Sequence, residues 1–395
     1  MKIVTLSTYP FDTPRHGGQH RLANIVAAYK RARHTVVSVG VLGADHYAPS
    51  PGFLPYPSPG ILGAYLDNTF LMEDWAIGRW AASDDGGYAM LAARLPAGVD
   101  VLHVEQPWLF EFALRFAAQG PRRIRVVYGS QNIEYRLKQE IVASYLGATH
   151  AQACAERVQA CELAALGAAD LVCAVSQGDV DWSRQHTRAP VVLAPNGVAM
   201  RTCTPEDLTA ANKLTGHRKY ALYCASAHPP NVVGFYDMFG AGIGCLAPNE
   251  RLVVAGSAGQ AILSATVARK TAGLTRHLAT SGEISEGALS ALLQLAHAMV
   301  LPITHGGGTN LKTAEALWSG HHVVATSVAM RGFEPFAASR GVTVADDPVQ
   351  FRTALRLAMA EPPLELTPTE RDARRVVLWE SCLRPLVNHV NELAR

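Results

Sequence analysis

A chain of 395 residues exceeds what one ordinary hydrophobic core fills, so two domains are expected. Apolar residues make up 49% and charged ones 17%, which excludes a disordered chain and fits a well-buried, enzyme-like one. A net charge of +2 excludes nucleic acid as the main electrostatic partner, and seven cysteines without a CxxC pair fit a reducing compartment rather than a disulfide framework or a zinc site.

The opening MKIVTLSTYP is too short an apolar stretch for a signal peptide and runs directly into a first strand, Lys2–Ser7. Further strands are expected over Thr35–Leu42, Val99–Glu105, Arg125–Gly129, Leu171–Ser176 and Val191–Ala194. Helices are expected between them over Gln19–Arg31 and Phe110–Ala118, with a long one near Ile133–Leu166. The basic clusters Lys30-Arg31-Ala32-Arg33 and Arg122-Arg123-Ile124-Arg125 read as solvated element ends, with an anionic lipid surface as the other use of such charge. From Ala48 to Trp80 the alternation breaks into a Pro-, Gly- and aromatic-rich stretch. Its Tyr65, Phe70, Trp75 and Trp80 read as a small satellite core ahead of a stacking surface for sugar or lipid.

The pattern then restarts with strands over Tyr220–Ala225, Arg251–Ala255, Ala298–Ile303, His322–Thr326 and Val342–Ala345. Helices are expected near Val232–Phe239, Gln260–Thr271, Ser285–His297, Asn310–Trp318 and Pro348–Ala360, and the tail Glu370–Ala394 reads as helical. Such alternation defines an α/β chain with two tandem Rossmann-like domains. The joint is placed between Pro195-Asn196-Gly197 and Leu214, where Pro, Asn and Gly punctuate the chain. Trp379, Leu383, Leu386 and Val390 form one apolar stripe, suited to a final helix that returns to the first domain. No window approaches the ~20 apolar residues of a spanning helix, so membrane contact is expected only from the side.

The most informative segment is His305-Gly306-Gly307-Gly308-Thr309-Asn310, set between a strand and a helix that carries Lys312 and Glu315. Strand, glycine turn and helix N-terminus together present free N–H groups and a positive dipole end to an anion. Glycines admit close backbone approach, and Glu315, about one and a half turns in, is placed to accept from a ribose diol. A plain flexible loop followed by a solvated Lys–Glu pair is the bland alternative, and the βαβ context weighs against it.

Taken in order, several segments resemble the GT-B glycosyltransferases of the retaining GT4 type. They are His16-Gly17-Gly18, the strand ending His103-Val104-Glu105, Gln131-Asn132-Ile133-Glu134-Tyr135, Pro195-Asn196-Gly197-Val198, Pro230-Asn231 after Ser226, Val253-Val254-Ala255-Gly256, Gly282-Glu283-Ile284 and the glycine loop. The resemblance implies a deep interdomain cleft, with an acceptor-side domain of residues 1–197 plus 376–395 and a donor domain of residues 198–375. It implies donor contacts at Gly17, Gly18, Ser226, Gly256, Glu283, Ile284, Gly306, Gly307, Gly308, Thr309, Asn310 and Glu315. Catalytic candidates are Glu105, His16 and Lys312. Three positions depart from the family pattern. Gly307 stands where the first of two glutamates is common, Glu105 where a histidine is common, and Ser226-Ala227-His228-Pro229-Pro230 lacks a basic pair.

The expected activity is sugar transfer from a nucleotide-diphosphate sugar to a hydroxyl of a glycan or glycolipid, in the cytoplasm or at the inner face of its membrane. Developing charge on the leaving diphosphate makes electrostatic stabilisation the main catalytic effect. No cofactor or metal is expected, since no Asp-x-Asp motif is present, and His321-His322 reads as a strand start and His16/His20 as a turn. The rivals are a non-catalytic nucleotide-sugar-binding subunit and a nucleotide-sugar epimerase. A nicotinamide dehydrogenase is disfavoured because Gly256-Ser257-Ala258-Gly259-Gln260-Ala261 is not G-x-G-x-x-G.

Overall fold

Short apolar runs rich in Val, Ile and Leu, buried on both faces, are what a parallel sheet between helix layers requires. The computed structural model describes residues 1–66, 71–240, 242–265, 276–305 and 311–393. Its first sheet holds β1 (Lys2–Ser7), β2 (Thr35–Val41), β3 (Phe53–Leu54), β4 (Val101–Glu105), β5 (Arg125–Ser130), β6 (Leu171–Ala174) and β7 (Val191–Leu193) in the order 3-2-1-4-5-6-7. The second holds β8 (Lys219–Cys224), β9 (Glu250–Ala255), β10 (Leu278–Gly282), β11 (Ala298–Leu301), β12 (His322–Ala325) and β13 (Val342–Val344) in the order 10-9-8-11-12-13. Every strand pair in both sheets is parallel.

Each sheet therefore reverses its winding once, between β1 and β4 and between β8 and β11. In doubly wound sheets the crevice at the carboxyl ends of those two strands is where ligands bind. By its contacts the chain divides into two compact units, residues 1–195 with 382–395 and residues 196–381. The sequence-derived boundaries lay at 197/198 and 375/376. The chain's two passages run side by side at this point: Val198 donates to the Val377 carbonyl at 2.9 Å and Trp379 to the Val198 carbonyl at 3.1 Å. A Cβ on Gly197 would lie 2.7 Å from the Trp379 nitrogen, so the close approach needs glycine there. The final helix, Trp379–Leu393, buries Leu383, Leu386 and Val390 and groups with the first unit from Cys382 onward.

The structure refines several sequence expectations. The long helix near Ile133–Leu166 is two, Glu134–Leu146 and Ala148–Ala168, because Gly147 adopts φ +80. The second of these supplies the cap of the first: Glu162 accepts from the backbone nitrogens of Glu134 at 2.8 Å and Tyr135 at 2.9 Å. Part of the joint is itself a helix, Pro205–Thr215, closed by a Thr204/Asp207 capping box and ended by Gly216 at φ +64. β3 and β10 are further additions. The aromatic-rich stretch holds β3 and the helix Glu73–Ala82, and its Trp80 packs in the main core of the first unit. Trp75 lies against both that core and a satellite cluster of Met72, Trp108 and Val158. Phe70 lies outside the described residues, as do residues 266–271 of the helix expected from Gln260. The second basic cluster is spoken for, with Arg122 paired to Asp100 and both Arg123 and Arg125 to Asp170. Among the described residues no helix is long and apolar enough to cross a membrane.

Candidate functional site

The crevice of the first unit opens where β1 and β4 part. Thr8, Gly43, Gln106 and Gln131, which follow β1, β2, β4 and β5, line a cavity of about 380 Å³ with Tyr9, His16, Gly18 and Tyr47. His16 caps the helix Gly17–Arg31, stands edge-on to Tyr9 at 5.4 Å and lies 3.2 Å from the Tyr47 hydroxyl. Burial, with His20 and His46 adding to it, lowers its pKa and favours the uncharged imidazole. Gly18 packs tightly, since a Cβ there would come within 3.0 Å of Gln131 Oε1 and 3.3 Å of Tyr9. Gln106 holds φ +64, an uncommon conformation for a residue with a side chain and one that concentrates at functional sites.

Glu105 is placed differently from its expected role as a contact to sugar or acceptor. It is 1% exposed, and its oxygens accept from His103 Nε2 at 2.8 Å and from Gln131 Nε2. Arg21, reaching inward from the first helix, sets its Nε 3.6 Å from Glu105 and donates through Nη1 to the Ala194 carbonyl at 2.7 Å. His103 is gripped on its other side by the Tyr29 hydroxyl at 2.8 Å. Glu105 is thus a buried support beneath the crevice, not a group facing it. Burial would raise its pKa, but Arg21 and the bonds from His103 and Gln131 outweigh that and hold the carboxylate low. His103, Glu105 and Cys173 offer three ligand atoms within 4.8 Å of one another. Arg21, 3.8 Å from Cys173 Sγ, already fills the position of the cation, so a metal ion would meet its repulsion.

Two acids beside this crevice behave oppositely. Burial pushes Glu134 up to about 7 and Glu162 up to about 8, against the bonds that each accepts. These folded-state values exceed the ordinary 4.5 of an unfolded glutamate, so the native state binds more protons between about pH 4.5 and 8. Their contribution to stability is therefore full below pH 4.5 and falls as pH rises through that window. Thermal unfolding of the wild-type chain should show this decline between pH 5 and 8, and Glu134→Gln should flatten it. Parallel profiles for the two proteins would remove Glu134 as a cause.

In the second unit the crevice lies where β8 and β11 part. The loops after β8, β9 and β10 are tied together: Ala258 donates to the Ala225 carbonyl at 3.1 Å and Gly256 to the Gly282 carbonyl at 2.9 Å. Gly256 sits at φ +99 with room for no Cβ, which would fall 2.4 Å from the Ala225 oxygen. Ser226 is exposed, and Asn231 holds its carbonyl at 2.9 Å. Glu283 is exposed and Ile284 half-buried just beyond β10. The helix that follows β11, Leu311–Ser319, carries Lys312 and Glu315 one turn apart.

Lys312 is partly buried, and desolvation lowers its pKa against the pull of Glu315 and Cys224. No carboxylate of the described residues lies within ion-pair distance of it, which leaves a cation available at this helix end. Glu315 has the partner that the sequence did not signal. Arg201 Nη1 donates to its Oε1 at 2.5 Å while Arg201 Nε donates to Glu286 at 2.6 Å. Arg201 and Glu315 stand 114 positions apart, beyond any local spacing rule. Both line a cavity of about 330 Å³ with Ser290, Gln294 and Trp318. Gly306, Gly307, Gly308, Thr309 and Asn310 lie outside the described residues. The structure thus gathers Lys312, Glu315, Ser226 and Gly256 around the second unit's strand ends, and His16, Gly17 and Gly18 around the first's. His321 and His322 serve structure, meeting the Leu293 and Pro362 carbonyls at 2.8 and 2.9 Å.

Residues 218–361, a span that lies within the second unit, match the protein-family model for glycosyl transferases group 1. No curated protein matches the sequence. Among solved structures the chain is similar to sucrose-phosphate synthase from Thermosynechococcus elongatus, at 15% identity and TM-score 0.68, covering 100% of this chain and 99% of that one. It is also similar to WaaG, a glycosyltransferase involved in lipopolysaccharide biosynthesis, at 16% identity and TM-score 0.63, covering 98% and 95%. Anabaena HepE in complex with UDP and glucose aligns at 15% identity and TM-score 0.62, covering 99% and 100%. The architecture is the two-sheet α/β fold of the GT-B glycosyltransferases.

Proposed function

We propose that this protein is a glycosyltransferase that moves a sugar from a nucleotide-diphosphate donor to a hydroxyl of a glycan or glycolipid acceptor. The observation that carries the reading is the helix Leu311–Ser319, which leaves the switch-point strand β11 inside the matched domain with Lys312 and Glu315 one turn apart. Lys312 and the helix N-terminus would stabilise charge on the departing diphosphate, and Glu315 would accept from the ribose diol. The C1–O bond to the diphosphate breaks and a bond from C1 to the acceptor oxygen forms, with the hydroxyl proton released. Retention of configuration and membership of the GT4 type rest on the motif resemblance. No metal is assigned a step. The proposed setting is the cytoplasm, with membrane contact from the side only.

A second reading, a subunit that binds the nucleotide sugar without transferring it, is favoured by Gly307 and by the missing basic pair in Ser226-Ala227-His228-Pro229-Pro230. An epimerase would turn the donor over with no acceptor present. The donor claim is tested by thermal shift against a panel of UDP-, ADP- and GDP-sugars. A ligand that binds only the native state at a hundred times its Kd stabilises by about 2.7 kcal/mol, a shift of several degrees. No stabilisation by any of them would end the nucleotide-sugar reading.

A further inference from the structure

We infer that Arg201 is a positioning residue that makes the donor site selective for a ribonucleotide, by fixing Glu315 with one carboxylate oxygen turned over to a cis-diol. This rests on the reading of Glu315 as the ribose ligand and adds a residue that the motif resemblance does not include. A carboxylate offers about four lone-pair sites on two oxygens. Arg201 takes Oε1 alone, and no described residue donates to Oε2. The Glu315 side chain is 12% exposed, so a ligand hydroxyl that meets Oε2 would take the place of water at a largely shielded carboxylate.

Arg201 is suited to the task because it is itself held. Its guanidinium spans Glu286, at the start of the helix Glu286–Leu295, and Glu315 on the next helix, with Nε on one acid and Nη1 on the other. The planar fork fixes both bonds at once, which a lysine ammonium on a flexible stem does not. Arg201 side-chain exposure is 21%, so the pair is screened less than a surface one. A free Glu315 would instead swing toward Lys312 on the same face of its helix and close the cation and the acid on each other. Arg201 thereby keeps two charges separate, the ammonium for phosphate and the acid for the diol.

The test is a cycle of variant against ligand in the full-length protein. Affinities for UDP, ADP and GDP are measured by calorimetric titration, and the nucleotide that binds is compared with its 2′,3′-dideoxy form. In the wild type, loss of the diol should weaken binding about tenfold or more, the effect of one hydrogen bond to a charged group. In Arg201→Met that penalty should shrink to about twofold, and Arg201→Lys should restore only part of it. Glu286→Gln, a change at a side chain 71% exposed, folds independently of the pair's fate and should give an intermediate penalty. A merely structural salt bridge would lower the melting temperature of these variants and leave the diol penalty at its wild-type size, which overturns the inference while the donor reading stands. If no nucleotide binds the wild type, the donor reading fails first and the inference with it.

Discussion

Replacing Glu105 by alanine is expected to cost the first unit about 3–5 kcal/mol, the largest single loss that the structure points to. The Arg21 guanidinium and Glu105 carboxylate are 1% and 0% exposed, and removal of the acid strands a cation in the interior. His103 and Gln131 lose their acceptor in the same change. A loss of this size is a large fraction of the 5–15 kcal/mol that holds a typical domain together. The paired change Glu105→Leu with Arg21→Met should recover most of it, since a buried ion pair is seldom better than a well-packed apolar one. Gly129→Ala should resemble the single loss, because its Cβ would sit 2.3 Å from Glu105 Oε1. Urea unfolding followed by tryptophan fluorescence measures all of these. A Glu105→Ala protein as stable as the wild type would show that the network is not what holds the crevice floor.

The second large effect is on binding. Glu315→Gln keeps the shape of the side chain but removes the charge that Arg201 and a diol both use, so donor affinity should fall at least tenfold. The helix should survive, because Thr313, Ala314, Ala316 and Leu317 pack its inner face and glutamine forms helix as well as glutamate does. Arg201 retains Glu286, so the change leaves no isolated buried cation. Calorimetric titration of the folded variant reads the outcome, and an unchanged affinity would sink the ribose assignment.

The fold was legible because its cause is local. Parallel strands covered on both faces appear as unbroken apolar runs, and Tyr220–Ala225 or Arg125–Gly129 was found within a residue of β8 or β5. What escaped was short or polar at one end. β3 has two residues, and β10 runs Leu-Ala-Thr-Ser-Gly with only Leu278 buried. The helix Pro205–Thr215 did announce itself, in Thr204-Pro205-Glu206-Asp207, but its Pro and Thr also fit linker punctuation. Of the candidate site residues, Lys312 and Glu315 lie on the helix expected after β11, and His16 stands at the start of the helix expected after β1. Glu105 was a catalytic candidate because it stands where the GT4-type pattern commonly has a histidine. Arg21 drew it inward, a contact 84 residues away along the chain and invisible to any spacing rule. Arg201 escaped for the same reason.

The central claim is that this protein passes a sugar on from a donor held by the second unit. It is tested most directly by incubating the full chain with the nucleotide sugar that stabilises it and a panel of methyl hexopyranosides, followed by phosphorus and proton NMR. The account predicts that free nucleoside diphosphate accumulates together with a new anomeric signal belonging to a glycoside, only when an acceptor is present, and that Glu315→Gln slows both. A donor that binds yet stays intact with every acceptor would contradict it in favour of a binding subunit, and a donor epimerised without acceptor would contradict it outright.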